Sequence, residues 1–344
     1  MQAFVNLKEK ELMIELKRKR LVFRFPDVHE HARCAIGFQR TLRIPDDNRD
    51  YPLPPGLGNF PIRHVDDYRD KVPAHWNRHG GVLLPMHQSE AMWISFQGNY
   101  PMAVKVAAGK IDALTGKAWS NDLSAEPQNY LVVPEQPWLD GFSISPGLIR
   151  QFVAMPLGAG YSAEEQLTGE AQHGGLQIMV YPMKASAYEA MQAARLSSRM
   201  ERYLGAKYFR APEAPAELEM GLAPGGLMRQ EIYEDEYGLA AWDLTVRSRC
   251  FVHILNSVQF FAVTGMEPPD LPPTAMDYTE AGLPWFTYYG GDRKALAGAM
   301  ELASLDSVAA VQLKQGEGTL ADNEAVQPTN IVNLSGDRVR EGDF

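Results

Sequence analysis

Apolar residues recur with a period of two in short runs along this chain, and stretches rich in proline and glycine separate them. That pattern admits strands and few crossover helices. In ARCAIGFQRTLRI (32–44), Ala32, Cys34, Ile36, Phe38, Leu42 and Ile44 share one parity and Arg33, Gln39, Thr41 and Arg43 take the other. Successive side chains of a strand point to opposite faces, so the run predicts a half-buried strand. Runs at 82–96, 102–108, 130–133, 148–155, 176–181, 228–233 and 247–255 read as strands too. Intervening segments such as DDNRDYPLPPGLGNFP (46–61) hold too much Pro and Gly for regular helices, which favours antiparallel connections. The expected fold is α+β and β-rich: packed antiparallel sheets with a sandwich-like core, two or three peripheral helices and long Pro/Gly loops.

Three helices are expected. Ser186 and Glu189 have the spacing of a capping box, and Met191, Leu196, Met200, Tyr203 and Leu204 offer a buried face before Gly205 ends the helix. A shorter helix is predicted from an Asn256 cap to Gly265, and a third from Arg293 to about Leu313. With 344 residues the chain can bury a sizeable core. One globular domain over 1–314 is expected, followed by a polar, flexible tail over 315–344. The Pro/Ala/Glu-rich connector AKYFRAPEAPAELEMGLAPGG (206–226) marks an internal boundary as the alternative.

A formal net charge of −10 argues against nucleic acid as a partner, because phosphate binding needs clustered Lys and Arg. The one basic cluster, KRKR at 17–20, lies in a mixed-charge segment and reads as a solvated face. Cys34 and Cys250 are the only cysteines and both sit in apolar runs, so they read as small core residues in a reducing compartment. The first thirty residues carry no apolar signal core, and no apolar run reaches the roughly 18 residues that would span a membrane. A cytoplasmic protein with no membrane partner is the expectation.

No G-x-S-x-G elbow, phosphate-binding loop, H-E-x-x-H or dinucleotide fingerprint occurs. Candidate chemistry falls into three places. In GGVLLPMHQSEAMWISF (80–96), Glu90 shares the parity of Met86, Met92, Ile94 and Phe96. A carboxylate on a core face must be paired or working: Arg150 or Lys105 could pair with it, and otherwise Glu90 is a candidate acid/base. His87, with His173 and a weaker contribution from His64, supplies candidate metal ligands. On a regular strand, however, His87 and Glu90 would face opposite ways. A divalent transition metal is therefore admitted but not favoured, and the cofactor is left open. In GAGYSAEEQLTGEAQHGG (158–175), Glu165 is a candidate acid/base and Tyr161 a candidate ligand contact on a loop. In PEQPWLDGF (134–142) and GLPWFTYYGGD (282–292), Trp138, Asp140 and Trp285 have the composition of sites that stack and hydrogen-bond a sugar or peptide. The competing reading is that Pro-Trp pairs plug the ends of a sheet.

Taken together, YPLPPGLGNFPIRHVDDY, GGVLLPMHQSEAMWISF, VPEQPWLDGF, IRQFVAMPLGAGYSAEEQLTGE, GGLQIMVYPMK and GLPWFTYY resemble a family of uncharacterised bacterial and fungal proteins, from about Phe38 to Leu305. The resemblance implies no activity, cofactor or site residue.

Three functional classes remain. The first is a non-enzymatic binding or assembly protein that recognises a protein partner or its own copies. The second is a metal-assisted enzyme with a site between 80–96 and 158–177. The third is a carbohydrate or small-ligand binding module that uses loop tryptophans.

Overall fold

A computed structural model describes residues 13–198, 219–289, 293–318 and 323–335. Its frame is one continuous, mostly antiparallel network of strands, so the β-rich α+β expectation holds. Arg33–Thr41 pairs with Ala91–Gln97, which meets Leu148–Pro156. That strand pairs with Glu219–Arg229, which meets Ser248–Asn256. The network then continues through Leu176–Pro182 and Met102–Ala108 to Leu131–Val133. Val82–Met86 joins it in parallel beside Ser248–Asn256. Trp285–Tyr289 and Ile331–Ser335 form a separate two-stranded parallel sheet.

The network is covered on both faces. Every residue of Met102–Ala108 and of Leu176–Pro182 is buried. The run at 32–44 is likewise more than half-buried: Gln39, Thr41 and Arg43, expected to face water, are at most 3% exposed. Their burial is compensated by hydrogen bonds. Gln39 donates to Asn59 Oδ1 at 2.9 Å, Thr41 Oγ1 to the Pro55 carbonyl at 2.8 Å and Arg43 Nη2 to Asn323 Oδ1 at 3.1 Å, while Gln151 bridges the Leu42 carbonyl (2.9 Å) and the Ile44 amide (3.1 Å).

Two strand assignments differ from expectation. The run at 82–96 is two strands, Val82–Met86 and Ala91–Gln97, joined by a tight turn in which Ser89 has φ 67°. The strand expected at 228–233 instead spans Glu219–Arg229, and so includes EMGLAPGG from the end of the supposed connector; 206–218 lies outside the described residues. Its glycines break the alternation because neighbouring chain leaves no room for a side chain. A Cβ on Gly226 would stand 2.4 Å from the Pro45 carbonyl oxygen, and one on Gly225 2.5 Å from Val153.

Among the described residues seven short α-helices flank the sheet, more than the two or three expected. The helix Ser257–Thr264 has its predicted ends: the Asn256 side chain accepts from the Val258 amide, and Gly265 is left-handed. Ala185–Ser198 starts one residue before Ser186, placing that serine in the first turn rather than at the cap; Met200, Tyr203 and Leu204 lie outside the described residues. The predicted helix over 293–313 is two, Met300–Ala303 and Val308–Gln315, because Ser307 caps a new start by accepting from the Ala310 amide. No helix among the described residues is long and apolar enough to cross a membrane.

Candidate functional site

A cleft of about 220 Å³ opens between residues 136–138, residues 229–233 and the small parallel sheet; Trp138, Tyr233 and Tyr288 are among its walls. Two buried glutamines build it. Gln136 donates to the carbonyls of Trp138 (3.0 Å) and Glu231 (3.2 Å) and accepts from the Tyr233 amide (3.1 Å). Gln230 donates to the same Trp138 carbonyl (3.1 Å) and accepts from the Asp140 amide (2.9 Å). These bonds lock the tryptophan segment to the opposite wall, so the cleft is preformed. The half-buried Trp138 ring meets Tyr288 edge to face, with centroids 4.7 Å apart. Arg229, ion-paired with Asp50, and the exposed Glu231 supply charge at the rim.

Behind the indole lies Asp140, 3% exposed, whose carboxylate accepts the Trp138 Nε1–H. Burial pushes this carboxyl up to about 7, opposed by the indole hydrogen bond. Asp140 therefore supports the platform from inside the protein and does not line the cleft.

Trp285, the other candidate platform, is fully buried with Leu42, Ile44, Ile149 and Met228, and its Nε1–H donates to Thr279 Oγ1 at 3.1 Å. It packs a core and presents no face to a ligand. Tyr161 is 4% exposed and bonds through its hydroxyl to Gln315 and Glu317, each at 3.0 Å. Glu165 is engaged in a capping box: it accepts from the Ser162 amide and hydroxyl and from the amides of Gly158 and Gly160. These bonds employ its carboxylate in ending a loop and starting the helix Ala163–Thr168.

The turn at 87–90 brings His87 and Glu90 to the same side after all. Glu90 is 3% exposed, and its partner is Arg40 rather than Arg150 or Lys105. Arg40 Nε and Nη2 stand 2.7 and 2.6 Å from Glu90 Oε1, and Oε2 accepts the His87 amide at 2.9 Å. Burial pushes the Glu90 carboxyl up and the Arg40 guanidinium opposes it. The segment at 269–270 closes over the pair: Arg40 donates to the Asp270 carbonyl, and His87 Nε2 lies 2.8 Å from that of Pro269. Arg150 instead lies 3.6 Å from Asp46, and Lys105 donates to the Asp122 carbonyl at 2.7 Å.

His173 is in different surroundings. Its ring lies 6.1 Å from that of His79, which is 6.2 Å from His75 and 6.3 Å from His253. His87 and His173 thus do not form one ligand set, and the exposed His64 belongs to a short strand beside Val82. Among the described residues no three His, Cys, Asp or Glu side chains are placed to hold a metal ion.

Burial lowers His253 to about 4, while its Nε2 lies 3.0 Å from the Gly80 carbonyl. An unfolded histidine binds its proton near 6.5, so stability from the neutral ring is lost as pH falls from there toward 4. The stability of His253→Phe relative to wild type should rise by about 3 kcal/mol between pH 7 and pH 4. Denaturant unfolding at the two pH values measures this; parallel profiles would refute it.

Sequence reasoning missed Gln136, although it lies two residues from Trp138, and also Tyr233, Tyr288, Arg229 and Gln230, which reach the cleft through pairing between distant segments. It also passed over His75 and His79, whose i,i+4 spacing in AHWNRH was a readable signal.

No family model matches the chain, and no curated protein or solved structure shows significant similarity to it.

Proposed function

We propose that the protein is a non-enzymatic binding protein that holds one small, polar, ring-bearing ligand of the carbohydrate type in the cleft beside Trp138. The observation that carries this reading is a preformed concavity walled by Trp138, Tyr233 and Tyr288 with Arg229 and Glu231 at its rim. Aromatic faces take the C–H face of a sugar ring, and rim charges take its hydroxyls. A volume of about 220 Å³ suits a single ring, since drug-sized ligands occupy pockets of roughly 300–1,000 Å³. The two buried glutamines support the same reading, because walls held in place beforehand lower the ordering cost of binding.

The expected setting is the cytoplasm, and nucleic acid is not an expected ligand. Two buried, unpaired cysteines and a net charge of −10 support those expectations.

Titration of tryptophan emission with a panel of monosaccharides and methyl glycosides tests the proposal. At least one member should bind, and Trp138→Ala should weaken it at least tenfold, about 1.4 kcal/mol. Trp285→Phe, which alters a packed core, should leave its affinity unchanged. Undiminished binding by Trp138→Ala would sink the assignment.

A further inference from the structure

Asp140 is a buried carboxyl bonded directly to a wall of the cleft. Its side chain takes a hydrogen bond from Trp138 Nε1, and its amide is held by Gln230. Its own carbonyl accepts from the Phe152 amide at 3.0 Å, so the backbone is pinned on both sides. What can change at this residue is the protonation of the carboxyl.

The charged groups nearest in the chain and on the neighbouring strands are otherwise engaged. Arg150 faces Asp46, Arg229 faces Asp50, and Glu231 is exposed to water. Glu135, in the preceding turn, accepts from the Tyr237 hydroxyl at 2.6 Å, and Arg293 donates to the Glu135 carbonyl at 2.9 Å. Burial raises the Asp140 carboxyl and the indole hydrogen bond opposes it. The proton on Asp140 is thus coupled through a direct hydrogen bond to the tryptophan of the ligand site.

We propose that Asp140 is a positioning residue that makes the Trp138 platform respond to pH, holding the indole firmly when ionised and releasing it when protonated. The proposal rests on the binding reading above for its effect on affinity, although the indole response itself does not need a ligand. A carboxylate accepts an N–H more strongly than a neutral carboxyl does, because hydrogen bonds to charged groups contribute roughly twice as much. The ionised form also places negative charge at the N–H edge of the indole, which raises electron density on the face that meets a ligand's C–H groups. Both effects favour binding on the alkaline side of the transition, by roughly five- to tenfold in affinity given that difference in hydrogen-bond strength.

The test follows tryptophan emission of the ligand-free protein from pH 5.5 to 8.5 in wild type, Asp140→Asn and Trp138→Phe. The wild-type minus Trp138→Phe difference isolates the indole in question. It should show a transition near pH 7, with no such transition in Asp140→Asn. The best glycoside of the panel is then titrated at pH 6 and pH 8.5. Wild type should bind it about five- to tenfold more tightly at pH 8.5, and Asp140→Asn equally at both.

A difference spectrum without a transition overturns the proposal, and this result needs no variant of Asp140 to fold. A transition with equal glycoside affinity at both pH values also overturns it, while leaving the ligand site standing. A transition with no glycoside bound at either pH overturns the binding reading and supports the positioning role.

Discussion

Arg40→Met should destabilise the fold by about 3–5 kcal/mol, as expected when a buried ion pair loses one partner. Removing the guanidinium takes both Arg40 donors from Glu90 Oε1, at 3% exposure, and removes the Arg40 hydrogen bond to the Asp270 carbonyl. A buried carboxylate without its counter-charge must either bear the desolvation cost or take up a proton. The double variant Arg40→Met/Glu90→Gln should recover much of the loss, because no uncompensated charge then remains and the glutamine oxygen can still accept from His87. Urea unfolding of wild type, both single variants and the double variant yields the coupling energy directly. A coupling near zero would show that the pair contributes packing and no electrostatic balance. A double variant as unstable as Arg40→Met would show that the guanidinium stabilises mainly by holding the segment at 269–270.

Asp140→Asn should make the protein more stable at pH 8, by about 4 kcal/mol before losses from altered packing. The carboxyl of the folded chain titrates near 7 and that of an unfolded aspartate near 3.8. Between those values the folded state holds a proton that the unfolded state has lost, so stability falls as pH rises, at about 1.4 kcal/mol per pH unit. Above pH 7 the full cost is present; below about 4 both states are protonated and it vanishes. The advantage of Asp140→Asn should therefore shrink steadily from pH 7 to pH 4 and stay level above pH 7. Thermal or urea unfolding across this range measures it in the absence of any ligand. A constant difference between variant and wild type would show that Asp140 is ionised throughout and held by more than the indole.

Much of the sheet was readable from local sequence. Met102–Ala108 has the bounds predicted for it, and the helix Ser257–Thr264 lies between its predicted cap and stop, since Asn256 and Gly265 act within one turn of themselves. Parity at 82–96 correctly raised the question of a buried Glu90. It could not reveal the turn at Ser89, because non-glycine residues rarely adopt a left-handed conformation and nothing in the local pattern requires one there. The strand Glu219–Arg229 was hidden for the opposite reason: its glycines look like a connector locally and are explained only by Val153 and Pro45 pressing against them.

The candidate site divides in the same way. Tryptophan beside aspartate in PEQPWLDGF, and the same pairing of aromatics with proline in GLPWFTYY, were equally visible as composition. Only strand pairing placed Trp138 at a cleft and Trp285 in a core, since Gln136, Gln230 and Tyr288 come from separate parts of the chain. Likewise Glu90 and Arg40 are 50 residues apart, and their pairing follows from the antiparallel register that sets Thr41 opposite Ala91. The sequence by itself determined the β-rich class, the capped helix and which residue types could carry chemistry, because periodicity and capping are short-range. The tertiary structure alone decided which carboxylates are paired, which tryptophan meets solvent and where a ligand could sit, because burial and charge compensation depend on neighbours far away along the chain.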